Sequence, residues 1–256
     1  MKNNDQWAVI LGGSSGLGLA TAQKLASEGY NICIVHRTRK ADMKNLDTIL
    51  KDIEKLKVNV KAFNKDALLN ETMEEVLEEL PDGTVKIFVH SIAKGSLKPL
   101  TGSAEHSLNA ADIEITLEAM GYSWYVWTKG LIQGEKFVDG ARNIAFTSEG
   151  NSKVWPGYAA VSAAKATLEA LMRSMAVEFA PLGITTNCIQ AGATRTPSFE
   201  MIPESDRLAE MARKRNPFQR LTTPTDVANA VSLLCREEAK WINGTVLKVD
   251  GGESLC

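Results

Sequence analysis

A phenol and an ammonium group seven positions apart, Tyr158 and Lys165, are the residues of this 256-residue chain best suited to chemistry. They bound the segment Tyr158-Ala-Ala-Val-Ser-Ala-Ala-Lys165, which reads as the opening of a helix over residues 158–179. Seven residues are nearly two turns of an α-helix, so both side chains would project from one face, with Cα atoms ~10.5 Å apart along the axis. A phenol there can donate to an oxygen that gains negative charge during hydride transfer. The ammonium can hold ribose hydroxyls and place positive charge near the phenol. Met alone in a sequence, such a pair would be coincidence; its meaning depends on what surrounds it.

Near the other end of the chain, Gly12-Gly13-Ser14-Ser15-Gly16-Leu17-Gly18 joins an apolar run to a helical pattern. Glycine permits a tight turn and close backbone approach, and the free N–H groups and positive dipole of the following helix suit a pyrophosphate. Gly12, Ser14, Ser15, Gly16, Leu17 and Gly18 are the candidates; a turn serving packing alone is the competing reading. A carboxylate ending the second strand would bind the adenosine ribose and repel a 2'-phosphate. This strand ends instead in His36-Arg37-Thr38-Arg39-Lys40, with no acid before Asp42. Guanidinium groups make forked, charge-assisted bonds to phosphate, so Arg37 and Arg39 point to NADPH rather than NADH, against the alternative of a solvated basic turn. His36 and His106 read as plain polar surface residues.

Stepping from these residues to what must position them, apolar runs alternate with helical patterns along the whole chain, the signature of strand–helix units building a parallel sheet. Strands are expected at residues 7–11, 32–35, 58–63, 85–90, 143–147, 184–189 and 245–249. Helices are expected at 16–28, 41–55, 71–80, 111–132, 158–179 and 225–235. Right-handed crossovers then wind helices onto both faces of one seven-stranded, doubly wound α/β sheet, a single domain over residues 1–256. Residues 93–109 read as a long loop, and 191–220 as a substrate lid containing a short helix, since long loops in compact domains are usually functional.

Composition narrows the class further. A net charge of −2 with 23% charged residues directs the chain to neither nucleic acid nor an anionic membrane. Cys33, Cys188, Cys235 and Cys256 lie far apart, without the spacing of a metal site. The polar opening, residues 1–5, lacks the sections of a signal peptide, and no run approaches the ~20 apolar residues of a membrane span. The expectation is a reduced, cytoplasmic protein.

With the Gly-x3-Gly-x-Gly turn and the Tyr-to-Lys pair, the chain resembles the short-chain dehydrogenase/reductase family, although Leu11 stands where the family has Thr. Ordinary members have Tyr-x3-Lys, which would put the tyrosine at Val161. Tyr-x6-Lys instead resembles the enoyl-acyl-carrier-protein reductases, as do His90-Ser91-Ile92-Ala93, Gly121-Tyr122-Ser123-Trp124 and Gln190-Ala191-Gly192-Ala193-Thr194-Arg195-Thr196. The shift moves the phenol three residues, or ~4.5 Å of rise, toward the helix start. An enoyl thioester has a matching demand, because the carbon accepting hydride is two bonds from the carbonyl carbon.

The resemblance implies a Rossmann fold and reduction of the C2–C3 double bond of trans-2-enoyl thioesters with NADPH, closest to the NADPH-using bacterial branch. It implies cofactor contacts from Asp66, Ala67, Ser91, Ile92, Ala93, Lys165, Thr194 and Thr196; for the threonines, closing a turn remains an alternative. Ser148 takes the family's serine position and is either a second donor to the substrate oxygen or a cap of the strand-end turn. His90 reads as a satisfied strand-end residue. Phe199, Met201 and Ile202 would cover an acyl chain, and Arg207, Arg213, Lys214 and Arg215 would either meet an acidic acyl carrier protein or form an ordinary solvated face. Trp124, Tyr125 and Trp127 read as core or subunit contacts in a homotetramer. A carbonyl reductase acting on 3-ketoacyl or related substrates, and a catalytically silent nucleotide-sensing protein, are the competing functions.

Overall fold

Burial on both faces makes the central strands read as unbroken apolar runs. In the computed structural model, which describes residues 5–103 and 105–256, β1 (Trp7–Leu11), β2 (Asn31–His36) and β4 (Val85–His90) are buried throughout. The polar opening at residues 1–4 lies outside the described residues. With β3 (Val60–Asn64), β5 (Phe137–Thr147), β6 (Thr185–Ala191) and β7 (Val246–Val249) they form one seven-stranded sheet in the order β3-β2-β1-β4-β5-β6-β7, parallel at every pairing. This is the expected single-domain Rossmann architecture. The edge strands β3 and β7 are only partly buried, as strands with one neighbour should be.

The twofold alternation of strand side chains sorts the core into two layers. Ala8, Ile10, Ile32, Ile34, Ile87 and Val89 face α1 (Gly16–Ser27), α2 (Lys40–Glu54) and α9 (Pro224–Cys235). Their neighbours Val9, Leu11, Cys33, Val35 and Phe88 face α3 (Asn70–Glu79), α5 (Ser123–Gln133) and α6 (Ala159–Glu178). Trp124 and Trp127 sit in this second layer, each donating its indole N–H, to Asn143 Oδ1 at 2.5 Å and to the Ala67 carbonyl at 2.7 Å. Both are therefore core residues; Tyr125 packs at the margin of the same layer.

Four expected elements differ, the first being β5, expected at 143–147, which begins at Phe137. The long helix 111–132 is two helices, α4 (Ala110–Leu117) and α5, joined by a π-helical turn at Glu118–Tyr122. A Cβ at Gly121 in that turn would lie 3.2 Å from the Ala164 carbonyl, so glycine lets α6 approach closely where the ladder widens. The helix expected to begin at Tyr158 begins at Ala159, and Tyr158 is its non-helical cap at φ −104°, ψ 4°. The lid holds two helices, α7 (Pro197–Glu200) and α8 (Ser205–Arg215). No helix among the described residues is long and apolar enough to cross a membrane.

Candidate functional site

Strand order reverses between β1 and β4, which opens a crevice at the carboxyl ends of the strands. The glycine turn lies there. Gly12 is at φ +77°, a conformation L side chains rarely adopt, and a Cβ on it would lie 2.4 Å from the Ser91 carbonyl oxygen. A Cβ at Gly18 would lie 2.3 Å from the Gly12 carbonyl oxygen, so the helix can press against the turn only with glycine at that position. The Ser15 side chain makes no capping bond and no acid stands in the first turn of α1, which leaves that helix end suited to an anion.

A cleft of about 310 Å³ runs from this turn across the sheet. Of the expected cofactor contacts, Gly12, Ser14, Ser15, Gly16, Leu17, Arg37, Asp66, Ala67, Ser91, Ile92, Ala93, Lys165 and Thr196 line it. Gly18 packs beneath the turn. Thr194 lines an adjoining cavity and donates to the Gly192 carbonyl at 2.8 Å, the turn-closing role held open for it. Thr196 does both, lining the cleft while its hydroxyl accepts from the Phe199 N–H as the cap of α7.

The two arginines separate. Arg37 donates to Asp66 Oδ2 at 2.9 Å inside the cleft, whereas Arg39 is the exposed cap residue of α2 and is not part of its wall. Sequence reasoning missed Lys65 and Lys94, which also line the cleft, with Lys94 Nζ 3.8 Å from Asp66 Oδ2. Their adjacency to Asp66 and Ala93 was the available signal. His36 is buried rather than on the surface, hydrogen-bonded to the Thr38 hydroxyl, and burial holds its imidazole below the usual range. His106 is exposed, as expected.

The second cavity, about 180 Å³, meets the first where Tyr158, Ser148, Thr147 and Met120 line both. The Tyr158 ring packs against the backbone of Gly150, where a Cβ would lie 2.4 Å from Cε1, and against the Trp155 ring, 5.1 Å away between centroids. Burial keeps its phenol above the ordinary range despite the opposing Ser148 bond, so it is a donor at neutral pH. The hydroxyl donates to Ser148 Oγ at a long 3.4 Å, and the same oxygen accepts from the Gly150 N–H at 3.2 Å. Both roles considered for Ser148 are thus compatible: it caps the turn and leaves its own hydrogen for a ligand oxygen.

Lys165 rises from α6 beneath the cleft and donates to the Phe146 carbonyl at 2.8 Å, with burial holding its ammonium down to about 8. His90, behind it, is only half satisfied. Ser123 Oγ donates to the Ala119 carbonyl, so His90 Nε2 is the donor in their 2.8 Å contact, and Nδ1 is buried without a partner among the described residues. Burial first, and then the charge of Lys165, hold His90 down to about 3; it is neutral.

The lid corrects other expectations. Phe199 and Ile202 line the second cavity with Leu97, Met120 and Val161, but Met201 points to solvent at 77% exposure. Arg207 and Arg213 are exposed and pair with Glu204 and Glu210 on or beside their own helix, and Lys214 also reaches Glu210. Arg215 turns inward to Glu149 and Glu253, so it does not belong to a surface for a carrier protein. Glu149 and Glu253 were missed, because each makes sense only beside the other. Cys33, Cys188 and Cys235 are buried and apart, and no group of metal-binding residues occurs among the described residues.

Residues 12–254 match the family model described as enoyl-(acyl carrier protein) reductase. The chain is 29% identical over 255 residues to 1-cyclohexenylcarbonyl-CoA reductase of Streptomyces collinus, covering 98% of this chain and 87% of that protein. It is 31% identical to an enoyl-acyl-carrier-protein reductase (NADH) of Buchnera aphidicola over 66% of this chain and 64% of the other. A short-chain dehydrogenase from Burkholderia cenocepacia in complex with NADP superposes at a TM-score of 0.83 with 25% identity, covering 99% of this chain and 100% of that one.

Proposed function

Because the chain belongs to the enoyl-(acyl carrier protein) reductase family of short-chain dehydrogenase/reductases, we propose that it reduces the C2–C3 double bond of trans-2-enoyl thioesters with NADPH. The observation that carries this reading is the meeting of the two cavities at Tyr158: a polar cleft fit for a dinucleotide on one side, an apolar chamber on the other. The residues fit the cofactor by the test of the glycine turn, whose Cβ-free surface and open helix end accept a pyrophosphate. Arg37, Lys65 and Lys94 are the cations available to a 2'-phosphate.

When bound, NADPH supplies the hydride that C3 accepts. Tyr158 donates to the thioester oxygen as that oxygen gains charge, Lys165 lends its field from below while holding the cofactor ribose, and C2 takes up a proton afterwards to complete the reduction. Leu97, Met120, Val161, Phe199 and Ile202 exclude water from the acyl group. The proposal extends to a thioester carried on acyl carrier protein and to a cytoplasmic homotetramer.

The contact between Tyr158 and Ser148 favours one alternative, reduction of a ketone whose oxygen takes bonds from both. The test is NADPH oxidation with crotonyl and acetoacetyl thioesters, by wild type and Tyr158→Phe. Loss of ~10²-fold or more on the crotonyl substrate is expected for the variant. Equal rates would remove the assignment, and turnover of acetoacetyl thioester alone would make the chain a carbonyl reductase.

A further inference from the structure

We propose that Arg215, at the end of the lid helix, is a positioning residue for Tyr158 and acts through Glu149. The proposal rests on Tyr158 as the donor to substrate, and it starts from one nitrogen. Arg215 Nη2 donates to Glu149 Oε1 at 2.5 Å and to Glu253 Oε1 at 2.7 Å, two hydrogens on two carboxylates far apart in the chain. Both acids are buried, at 8% and 3% exposure. Arg215 Nε is buried without a partner among the described residues, so the whole grip passes through Nη2. Two buried carboxylates drawn to one point repel each other, and the shared guanidinium is what holds them together there.

Glu149 opens a 3-10 turn, Glu149–Asn151, and the residues flanking its carboxylate touch Tyr158 on two sides. Ser148 accepts the Tyr158 hydroxyl, and Gly150 is the shelf on which the ring lies. The direction of the Glu149 side chain therefore sets the tilt of a turn that holds both the ring and the hydroxyl. Glu253 reaches the other wall, with Oε2 accepting from the Ala193 N–H at 3.1 Å beside Thr194. The remaining charged groups facing this pair are Lys153, 3.3 Å from Glu149 Oε2, and Asp250, which lines the same cavity while its carboxylate accepts from the Gly252 and Ser254 N–H groups.

The test uses the full chain as Arg215→Met, Arg215→Lys and the pair Arg215→Met with Glu149→Gln. Arg215→Met should lower kcat ~10- to 100-fold, the scale of a displacement near 1 Å, with KM for NADPH within about twofold. Removing one of the repelling charges with Glu149→Gln should restore kcat to within about threefold of wild type. Arg215→Lys, which keeps the charge but cannot reproduce the bridge, should fall between.

A substrate-free readout separates this proposal from the choice of reaction. The Tyr158 phenol is titrated by ultraviolet difference absorbance, each protein against its own Tyr158→Phe counterpart, and its midpoint should move by about half a unit or more in Arg215→Met and in Arg215→Lys. If wild type fails to reduce the enoyl thioester but the midpoint still moves, the reaction is wrong and the positioning role stands. If Arg215→Met does not fold, Arg215→Lys carries the same measurement. An unmoved midpoint, or a loss of rate that Glu149→Gln does not repair, would overturn the proposal.

Discussion

Gly150→Ala should cripple the enzyme through one methyl group. The φ of Gly150 is not positive, so alanine is acceptable to the backbone and the perturbation is steric alone. Its Cβ would lie 2.4 Å from Tyr158 Cε1 and 2.6 Å from Cδ1, against the ~3.5–4.0 Å at which carbon atoms rest. The ring must move by roughly 1 Å, and the neighbouring Trp155 ring, 5.1 Å away between centroids, leaves it little room. A displacement of that size at a reacting group lowers the rate by about 10²-fold, or about 2.7 kcal/mol in the barrier. Gly150 does not itself line the cofactor cleft, whose glycine turn and cations lie elsewhere, so the binding of NADPH, followed by its fluorescence, should stay within about twofold. The assay is steady-state NADPH oxidation with crotonyl thioester. A variant with kcat within threefold of wild type would show that the ring is not pinned against this turn, and the geometric account of Tyr158 would fail.

Two further outcomes follow from the cleft and the buried lysine. Arg37→Ala should raise KM for NADPH by about tenfold and leave KM for NADH nearly unchanged, while Arg39→Ala, outside the cleft wall, should alter neither; steady-state kinetics with both cofactors decides this. Burial holds Lys165 at about 8 against an ordinary 10.5, so in the cofactor-free protein the folded state releases its proton first as pH rises. Between about 8 and about 10.5 the unfolded chain binds the extra proton, and stability must rise with pH relative to Lys165→Met. Urea midpoints of the two proteins across that window measure the difference, and parallel curves would refute it.

The sheet was legible because burial leaves a mark on every residue of a central strand. Val9, Ile10, Ile32, Ile34, Phe88 and Val89 are apolar whichever face they meet, and the runs announce themselves. The glycine turn was legible for a similar local reason, since Gly18 answers to the Gly12 carbonyl within the same motif and Gly12 to its own positive φ. What could not be read depends on partners far away in the chain. Nothing in residues 111–132 announces a π-helical turn, because its occasion is the Ala164 carbonyl on another helix. Arg215 looks like its neighbours Arg213 and Lys214 until the fold brings Glu149 and Glu253 to it. His36 looked like a surface residue because the sequence showed its basic neighbours and not the cleft wall it joins.

The spacing of Tyr158 and Lys165 teaches a subtler lesson. Counting seven residues as two helical turns put the phenol and ammonium on one side, and the structure does bring both to one cleft. The geometry behind that count does not hold, because Tyr158 is the cap before the first helical residue and its backbone angles are not helical, although its carbonyl accepts from the Ser162 N–H. Its ring is aimed by Gly150 and Trp155, which belong to the segment between β5 and α6. A tyrosine four residues before the lysine would be gripped by α6 itself, at Val161, which is buried at 4% exposure. Moving the phenol out of the helix hands control of the acid to a loop, and a loop can be held at a different distance from the cofactor without altering the helix that carries Lys165. Insertions or substitutions between residues 149 and 157 should therefore tune the reaction, and with it the choice between enoyl and keto substrates, while leaving dinucleotide affinity intact. Measuring both activities and NADPH binding across such variants would refute this if affinity and selectivity always changed together.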